Sequence, residues 1–289
     1  MTRPTPPRTV LVTGSTDGLG RALAHRLAAE GATVLLHGRD KGRLDRTAGE
    51  IAAAHGLDRP ATLRADLADL DQVRALAAEV RGTTDRLDVL VNNAGVGAGE
   101  PDGRTRRTSA DGYELRFAVN HLAGLLLGLE LLPLLRASSS ATASTAVRAP
   151  ARIVNVASAG QEEVDFDDLM LERDYSGTSA YCRSKLAQIA CGFELAARVP
   201  AAEVTVNSLH PSTYMPTKMV LQEIGHSIDS LEDGVTATHR LVTDPALAGV
   251  TGRYYDRLRE ARAHRQAYDL RARAALWERS LELVGHPGP

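Results

Sequence analysis

In the stretch TSAYCRSK, residues 178–185, a tyrosine and a lysine stand four positions apart. Four residues is about one helical turn, so in a helix Tyr181 and Lys185 project from the same face and the ammonium can lie near the phenol. A free tyrosine has a pKa of about 10, and a neighbouring positive charge favours its phenolate. Such a pair can give a proton to an alkoxide or take one from an alcohol. An isolated Tyr-x-x-x-Lys is more often a solvated helix face, so the chemistry needs a setting. Ser158 offers part of it. It closes the apolar run ARIVNVAS, and a hydroxyl at the carboxyl edge of a sheet can hydrogen-bond a substrate oxygen and stabilise developing charge. A serine there can equally be a simple cap. Tyr175 is a second phenol within reach of the same edge.

The elements that must position these groups are visible as a rhythm. Apolar runs TVLVTG (9–14), ATVLLHG (32–38), ATLRADL (61–67), LDVLVNNAG (87–95), ARIVNVAS (151–158), EVTVNSLHP (203–211) and GVTGRYY (249–255) alternate with helical stretches. Short β-rich runs separated by helices indicate βαβ units with right-handed crossovers. The expected fold is α/β, a single doubly wound domain over residues 1–289, with a mainly parallel sheet of about seven strands and helices on both faces. Residues 1–8 read as a tail and 137–150, poor in large apolar residues, as a flexible surface insertion.

The 289 residues are 43% hydrophobic and carry 34 basic against 36 acidic side chains, a formal charge of -2. That balance argues against nucleic acid or an anionic membrane as an obligatory partner and for a small molecule. MTRPTPPRTV lacks the apolar core of a secretory signal, so a cytoplasmic location is expected. The most apolar segment, His121 to Arg136, is interrupted by Glu130 and Pro133 and falls short of the ~20 residues a spanning helix needs; it reads as a buried or interface helix. Cys182 and Cys191, if on one helix, lie ~13 Å apart, beyond the ~7 Å reach of a disulfide, and read as free thiols. The histidines show no metal-ligand spacing, so no metal is expected. The Arg-rich stretch from Arg253 to Arg273 reads as a solvated helical face.

TVLVTGSTDGLGRALAHRLAAEGATVLLHGRD is a strand, a glycine turn, an amphipathic helix and a second strand. Gly14, Gly18 and Gly20 fall where a backbone must turn tightly and approach a pyrophosphate. The free N–H groups and the dipole at the helix start attract phosphate. The spacing is G-x-x-x-G-x-G rather than G-x-G-x-x-G, and the turn's place between strand and helix is what makes it half of a dinucleotide site.

TGSTDGLG, the NNAG at 92–95, Ser158 and Tyr-x-x-x-Lys, in this order, resemble the short-chain dehydrogenase/reductase family. VNHLAG, RIVNVAS and AYCRSKLA resemble its branch of retinol dehydrogenases and protochlorophyllide reductases. The similarity runs from about Thr9 to the C-terminal LWERSLELVG. The resemblance implies an oxidoreductase that moves a hydride between a nicotinamide and a carbonyl or alcohol carbon. Tyr181 would be the general acid/base, Lys185 would lower its pKa and hold the nicotinamide ribose, and Ser158 would hold the substrate oxygen. Asn120 would help a water chain relay protons to the lysine, with packing specificity as its alternative role. For the cofactor the resemblance implies Gly14, Ser15, Thr16, Asp17, Gly18, Leu19 and Gly20 at the phosphates, Asp66 and Leu67 at the adenine, and Asn93, Ala94 and Gly95 after the fourth strand. Asp66 or Asp69 could instead cap a helix. Tyr181 and Lys185 also face the cofactor, as do Pro211, Ser212 and Thr213 after the sixth strand. Gly38 stands where the family's NAD-type members carry Asp, and the fork of Arg39 next to it suits a 2′-phosphate, so NADP(H) is expected in preference to NAD(H).

Two loops depart from the family's pattern. HPSTYMPTKM puts Ser212 where a glycine is usual and Thr217 further along than the typical threonine; residues 212–230 are expected to cover the nicotinamide and part of the substrate. The interval from Ser158 to Tyr181 is long, and residues 159–180 are expected to border the substrate entrance. There Glu162, Glu163, Asp165, Asp167, Asp168, Glu172 and Asp174 face a single Arg173, and Val164, Phe166, Leu169, Met170 and Leu171 could form an apolar inner wall. Such a field disfavours polyanions and leaves neutral, apolar ketones or alcohols as substrates; a merely solvated loop is the alternative. The family suggests a homodimer or homotetramer through the Leu-rich helix and the helix of Tyr181. A non-catalytic dinucleotide-binding regulator would not need Asn120, Ser158, Tyr181 and Lys185 together, and a nucleotide-sugar epimerase or dehydratase would need a larger C-terminal substrate domain.

Overall fold

A computed structural model describes residues 7–99, 103–139, 149–213, 215–216 and 226–289. Eight strands form one sheet in the order β3-β2-β1-β4-β5-β6-β7-β8. They are β1 (Thr9–Val12), β2 (Thr33–Gly38), β3 (Ala61–Arg64), β4 (Val89–Asn92), β5 (Ala151–Val156), β6 (Val204–His210), β7 (Arg253–Asp256) and β8 (Arg259–Ala261). All neighbours pair parallel except β7 with β8, a short antiparallel edge. The order reverses between β1 and β4, and this crevice at the carboxyl ends of the strands is where doubly wound sheets bind ligands.

Alternation along each strand divides the core in two. Leu11, Leu35, Leu90, Ile153 and Val206 face a core shared with α3 (Leu70–Thr83), α4 (Ala123–Ser139), α5 (Gly177–Arg198) and the C-terminal α7 (Leu270–Val284). Val10, Val12, Val34, Leu36, Val91 and Val154 face the other, with α1 (Gly18–Ala29), α2 (Lys41–His55) and α6 (Leu231–Thr243). Because side chains on a strand alternate in direction, a sheet buried on both faces must be apolar almost throughout. Helix starts are set locally: Asp40, Asp69, Ser176 and Asp269 accept hydrogen bonds from first-turn N–H groups of α2, α3, α5 and α7.

Several expectations are corrected. The Arg-rich stretch is not one helical face: Arg253–Asp256 and Arg259–Ala261 form the last two strands and Arg265–Tyr268 a tight turn before α7 begins. The Leu-rich helix is longer than expected. Phe117–Leu122 forms a π-helical turn that continues into α4, and the whole segment Phe117–Ser139 has 23 residues, long and apolar enough by length and composition to cross a bilayer, though mostly buried here. Ala137–Ser139 end that helix rather than opening a loop, and Ser138 Oγ accepts from Leu87 N–H at 2.8 Å. The rest of the expected insertion, 140–148, lies outside the described residues. Residues Ser184–Ala196 of α5 are buried within the single chain, and the C-terminal α7 packs against that helix.

Candidate active site

Ser176 ends an extended stretch and caps α5, which places Tyr181 in the second turn and Lys185 one turn further in. Tyr181 is half-buried and Lys185 is buried, with Nζ 5.8 Å from the centroid of the tyrosine ring. The ammonium donates to Val156 O at 2.8 Å and to Gln188 Oε1 at 3.4 Å. Among the described residues no carboxylate pairs with it. Burial disfavours the charge and pushes its pKa down to about 8.

Gly95 joins the NNAG turn to this lysine. A Cβ on Gly95 would lie 3.1 Å from Asn120 Oδ1 and 3.7 Å from Lys185 Nζ, a close approach that puts the turn directly beside both side chains. Asn120 is placed by the π-helical turn, and its amide makes three hydrogen bonds. Oδ1 accepts from Val96 N–H at 2.7 Å, while Nδ2 donates to Val96 O at 3.1 Å and Ser184 Oγ at 2.9 Å. Its side chain therefore clamps the neighbours of Gly95 and Lys185 together, as a packing role requires.

Ser158 Oγ accepts from Gly160 N–H at 3.0 Å, which leaves its own proton to donate. Its carbonyl accepts from Gln161 Nε2 at 2.9 Å and the Tyr254 hydroxyl at 3.0 Å. Tyr254 in turn lies close enough to Tyr181 for their charges to couple, and burial raises its own pKa. Ser158 lies beside the start of the Tyr181 helix, since a Cβ on Gly160 would be 3.5 Å from Ser158 Oγ and 3.3 Å from Cys182 Sγ, and its carbonyl is held by a β7 tyrosine that the sequence did not single out. Tyr175 is engaged by a different pair of groups. Its hydroxyl sits between Arg116 and Glu114, and burial together with the glutamate pushes it up to about 12.

That cluster is the largest feature absent from the sequence reading. Arg116 and Glu114 are fully buried; Arg116 donates to Gly97 O and Ala98 O, each at 2.7 Å, and Glu114 accepts from Phe117 N–H at 2.8 Å. The pair fixes the chain just beyond NNAG and ties residues 159–180 to it. Two charges buried together signal nothing in a pattern of apolar residues.

The glycine turn is shaped as a dinucleotide cradle. Gly14 has φ +65°, and a Cβ there would lie 3.0 Å from the Ala94 backbone, while one on Gly20 would lie 2.4 Å from Gly14 O. Only glycine suits either position, and the start of α1 faces the space they leave. Asp17 caps that helix, accepting from Gly18 N–H at 2.8 Å. The side chains of Ser15 and Leu19, expected at the cofactor, turn inward. Ser15 bonds His37 through both its N–H and its hydroxyl, and Leu19 is in the core. Asn93 Nδ2 holds Thr13 O at 2.8 Å, bracing the turn from below. His37, also missed, accepts from Gly14 N–H at Nδ1 and so donates from Nε2 to Ala65 O; burial pushes its pKa down to about 4. Thr16 and Gly18 lie in the glycine turn, with Ala94 close to Gly14 and Gly95 close to Asn120 and Lys185.

At the adenine end Asp69, not Asp66, caps α3, leaving Asp66 half-exposed at 3.9 Å from Arg39. Leu67 is buried in the core rather than presented at the rim. Arg43 stands beside Arg39 at the start of α2, 3.8 Å from Asp17. Beyond β6, Pro211 is buried, and Ser212 Oγ and Thr213 N–H both donate to Asp229, which pairs with Arg257 at 2.9 Å. The side chain of Ser212 is thus committed to the base of the loop. Tyr214 and residues 217–225, with Thr217 among them, lie outside the described residues.

The acidic field expected over residues 159–180 is largely cancelled. Glu162 pairs with Arg183 at 2.9 Å, Glu163 with Arg265 at 3.2 Å, Asp168 with Arg173 at 3.4 Å and Glu172 with Arg106 at 3.9 Å. The sequence showed one arginine because the others come from neighbouring elements. Val164 and Leu171 are buried, Leu169 and Met170 pack against the core, and only Phe166 is exposed, so the expected inner wall is part of the core.

A parallel sheet that switches order over a glycine cradle, with a buried lysine behind a tyrosine at its carboxyl edge, defines a dinucleotide-dependent oxidoreductase. Residues 8–224 match the family model of short chain dehydrogenases. The chain is 35% identical to retinol dehydrogenase 14 of Mus musculus, over 96% of this chain and 86% of that one, and 33% identical to retinol dehydrogenase 13 of Homo sapiens, over 98% and 86%. It is 36% identical to a Streptomyces sp. (strain C5) protein provisionally named a daunorubicin C-13 ketoreductase, over 97% and 93%. Among solved structures, an uncharacterised protein of Mycobacterium paratuberculosis superposes with a TM-score of 0.74 at 27% identity, covering 98% of this chain and 95% of that one. A short chain dehydrogenase of Escherichia coli CFT073, solved with NADPH, gives 0.67 at 25% identity, covering 87% and 97%. The chain belongs to the short-chain dehydrogenase/reductase family, on its retinol dehydrogenase branch.

Proposed function

We propose that this protein is an NADP(H)-dependent oxidoreductase that interconverts a ketone or aldehyde and an alcohol on a small, apolar, uncharged substrate, with Tyr181 as general acid/base. The observation that carries the reading is the buried Lys185 ammonium, held against the Tyr181 ring and beside Gly95, with no carboxylate among the described residues paired with it. An uncompensated buried cation has a cost that packing does not repay, and favouring a phenolate next to it is a use that does.

The bound dinucleotide supplies or accepts the hydride. The chain's own groups handle the oxygen. Ser158 donates a hydrogen bond to the substrate oxygen and keeps its proton, while Tyr181 gives a proton to that oxygen in reduction or removes one in oxidation. Lys185 lowers the cost of the phenolate, and Asn120 keeps Lys185 and Gly95 in register. Arg39 and Arg43, exposed and only loosely held by carboxylates at 3.9 and 3.8 Å, suit the 2′-phosphate of NADP(H). The NADPH complex of the Escherichia coli relative supports the same choice. The substrate class rests on the relatives' names, one an alcohol dehydrogenation of a retinoid and the other reduction of a ketone.

A panel of neutral ketones, aldehydes and alcohols, assayed with NADPH, NADP, NADH and NAD at the nicotinamide absorbance band, tests the reading. Turnover of an apolar carbonyl or alcohol, at least about tenfold more efficient with the phosphorylated cofactor, is expected; a tenfold ratio corresponds to about 1.4 kcal/mol in the transition state. Equal efficiency with both cofactors refutes the cofactor assignment, and turnover confined to charged thioesters refutes the substrate class.

A further inference from the structure

An acidic side chain near the end of β2 is what dinucleotide folds use to bind the ribose hydroxyls of NAD(H); here β2 ends on Gly38, which is buried against the glycine turn. A Cβ built on Gly38 would lie 2.8 Å from Thr16 Cγ2 and 3.4 Å from Thr16 Oγ1, with Leu44 Cδ2 at 3.6 Å behind it. The first distance is well inside van der Waals contact. Thr16 is itself half-buried between Ser15, which is tied to His37 by three hydrogen bonds, and the helix-capping Asp17. A β-branched side chain has no long flexible end to swing clear. The space a side chain at position 38 would need is therefore occupied by a methyl group from the turn that cradles the phosphates.

We infer that Thr16 and Gly38 act as one steric pair that determines cofactor specificity: Thr16 keeps position 38 without a side chain, and so bars the acidic group that could bind the ribose hydroxyls of NAD(H). The inference rests on the NADP(H) assignment and adds to it a cause within the turn, separate from the cationic Arg39. An acid introduced at position 38 alone displaces the turn and weakens both cofactors; it reads the ribose only once the threonine methyl is gone. Thr16→Ser removes that one methyl and keeps the hydroxyl.

The test is a double-mutant cycle on binding, read by quenching of protein fluorescence or by NAD(P)H fluorescence, so that turnover is not needed. The unmodified protein is titrated first; failure to prefer NADPH there refutes the NADP(H) assignment without bearing on the steric pair. Gly38→Ala is expected to weaken NADPH at least tenfold. Thr16→Ser/Gly38→Ala is expected to bind within threefold of Thr16→Ser alone. Gly38→Asp is expected to be poor with both cofactors, and Thr16→Ser/Gly38→Asp to gain at least tenfold for NADH over Gly38→Asp. Undiminished NADPH binding by Gly38→Ala, or the full NADH gain from Gly38→Asp without the change at Thr16, overturns the pair. If Gly38→Ala fails to fold, its thermal melt is compared with that of Thr16→Ser/Gly38→Ala: recovery of folding supports the pair, and equal failure of the double variant overturns it.

Discussion

The catalytic edge and the segment Glu162–Tyr175 beside it are both rich in charge, and they use it in opposite ways. At the edge the charges are buried: Lys185 has only neutral acceptors, and Arg116 with Glu114 is closed off from solvent and bonded to the backbone beyond NNAG. In the adjoining segment the ion pairs lie at the surface, from Arg183–Glu162 to Arg265–Glu163. Coulomb interactions weaken with solvent exposure, so equal numbers of pairs have very unequal consequences. The backbone differs too. Two of the described non-glycine residues in the left-handed region, Leu171 at φ 49° and Asp174 at φ 47°, belong to this segment. Strain of this kind persists only where surrounding contacts hold it, and the segment is anchored at Tyr175 by the buried pair.

The largest effect that sharpens this contrast is expected for Arg116→Met. It leaves Glu114 buried without its partner, which costs about 3–5 kcal/mol. Urea denaturation should show it as a lower midpoint, and Glu114→Gln in the same chain should recover part of the loss. A change below about 1 kcal/mol would mean that the edge is no better insulated than the neighbouring segment.

An intermediate effect should come from pH. His37 and His121 are buried and neutral in the folded chain, with pKa values pushed down to about 4 and about 3. The unfolded chain takes up these protons below about pH 6.5, so folded stability is complete above that value and falls as pH drops toward the lower pKa values. Each group contributes about 1.4 kcal/mol per pH unit across this window. Melting temperature should therefore decline steadily between pH 6.5 and 5, and a His121→Gln variant should decline less steeply. A flat profile would contradict the burial assigned to both rings.

The smallest effect is expected for Arg173→Gln, whose pairs with Asp165 and Asp168 are exposed on the arginine side at 4.0 and 3.4 Å. The melting temperature should stay within about 1 °C. A drop comparable to that of Arg116→Met would erase the distinction between the two regions.

What the sequence made legible follows the same division. The glycine cradle, NNAG, Ser158 and the Tyr181–Lys185 pair are local: strand, turn or helix geometry brings neighbouring residues together, and short motifs suffice to see it. The Arg116–Tyr175 contact spans chain positions far apart and leaves no periodic trace. The arginines that neutralise Glu162, Glu163 and Glu172 arrive from α5, from the segment after β8 and from the stretch before the π-helical turn, so counting charges along one loop overstated its field. The strand β8 is short and charged, and charge alternation without an apolar period gave the Arg-rich stretch the look of a solvated helix. His37 looks like no more than the end of a strand, because nothing in its neighbours shows that Gly14, beyond the adjacent strand β1, bonds its ring.

The central claim is that Tyr181 moves the proton. Tyr175 is held by Arg116 and Glu114, which leaves Tyr254 as the other phenol described at this edge, bonded to the Ser158 carbonyl. The most direct measurement compares NADPH oxidation by the unmodified protein and by Tyr181→Phe on the same neutral ketone, with NADPH affinity measured in parallel. The account predicts a fall in kcat of at least about 1000-fold with affinity unchanged within about threefold, because the hydroxyl acts in proton transfer and little in cofactor binding. Retention of most of the activity by Tyr181→Phe would contradict it.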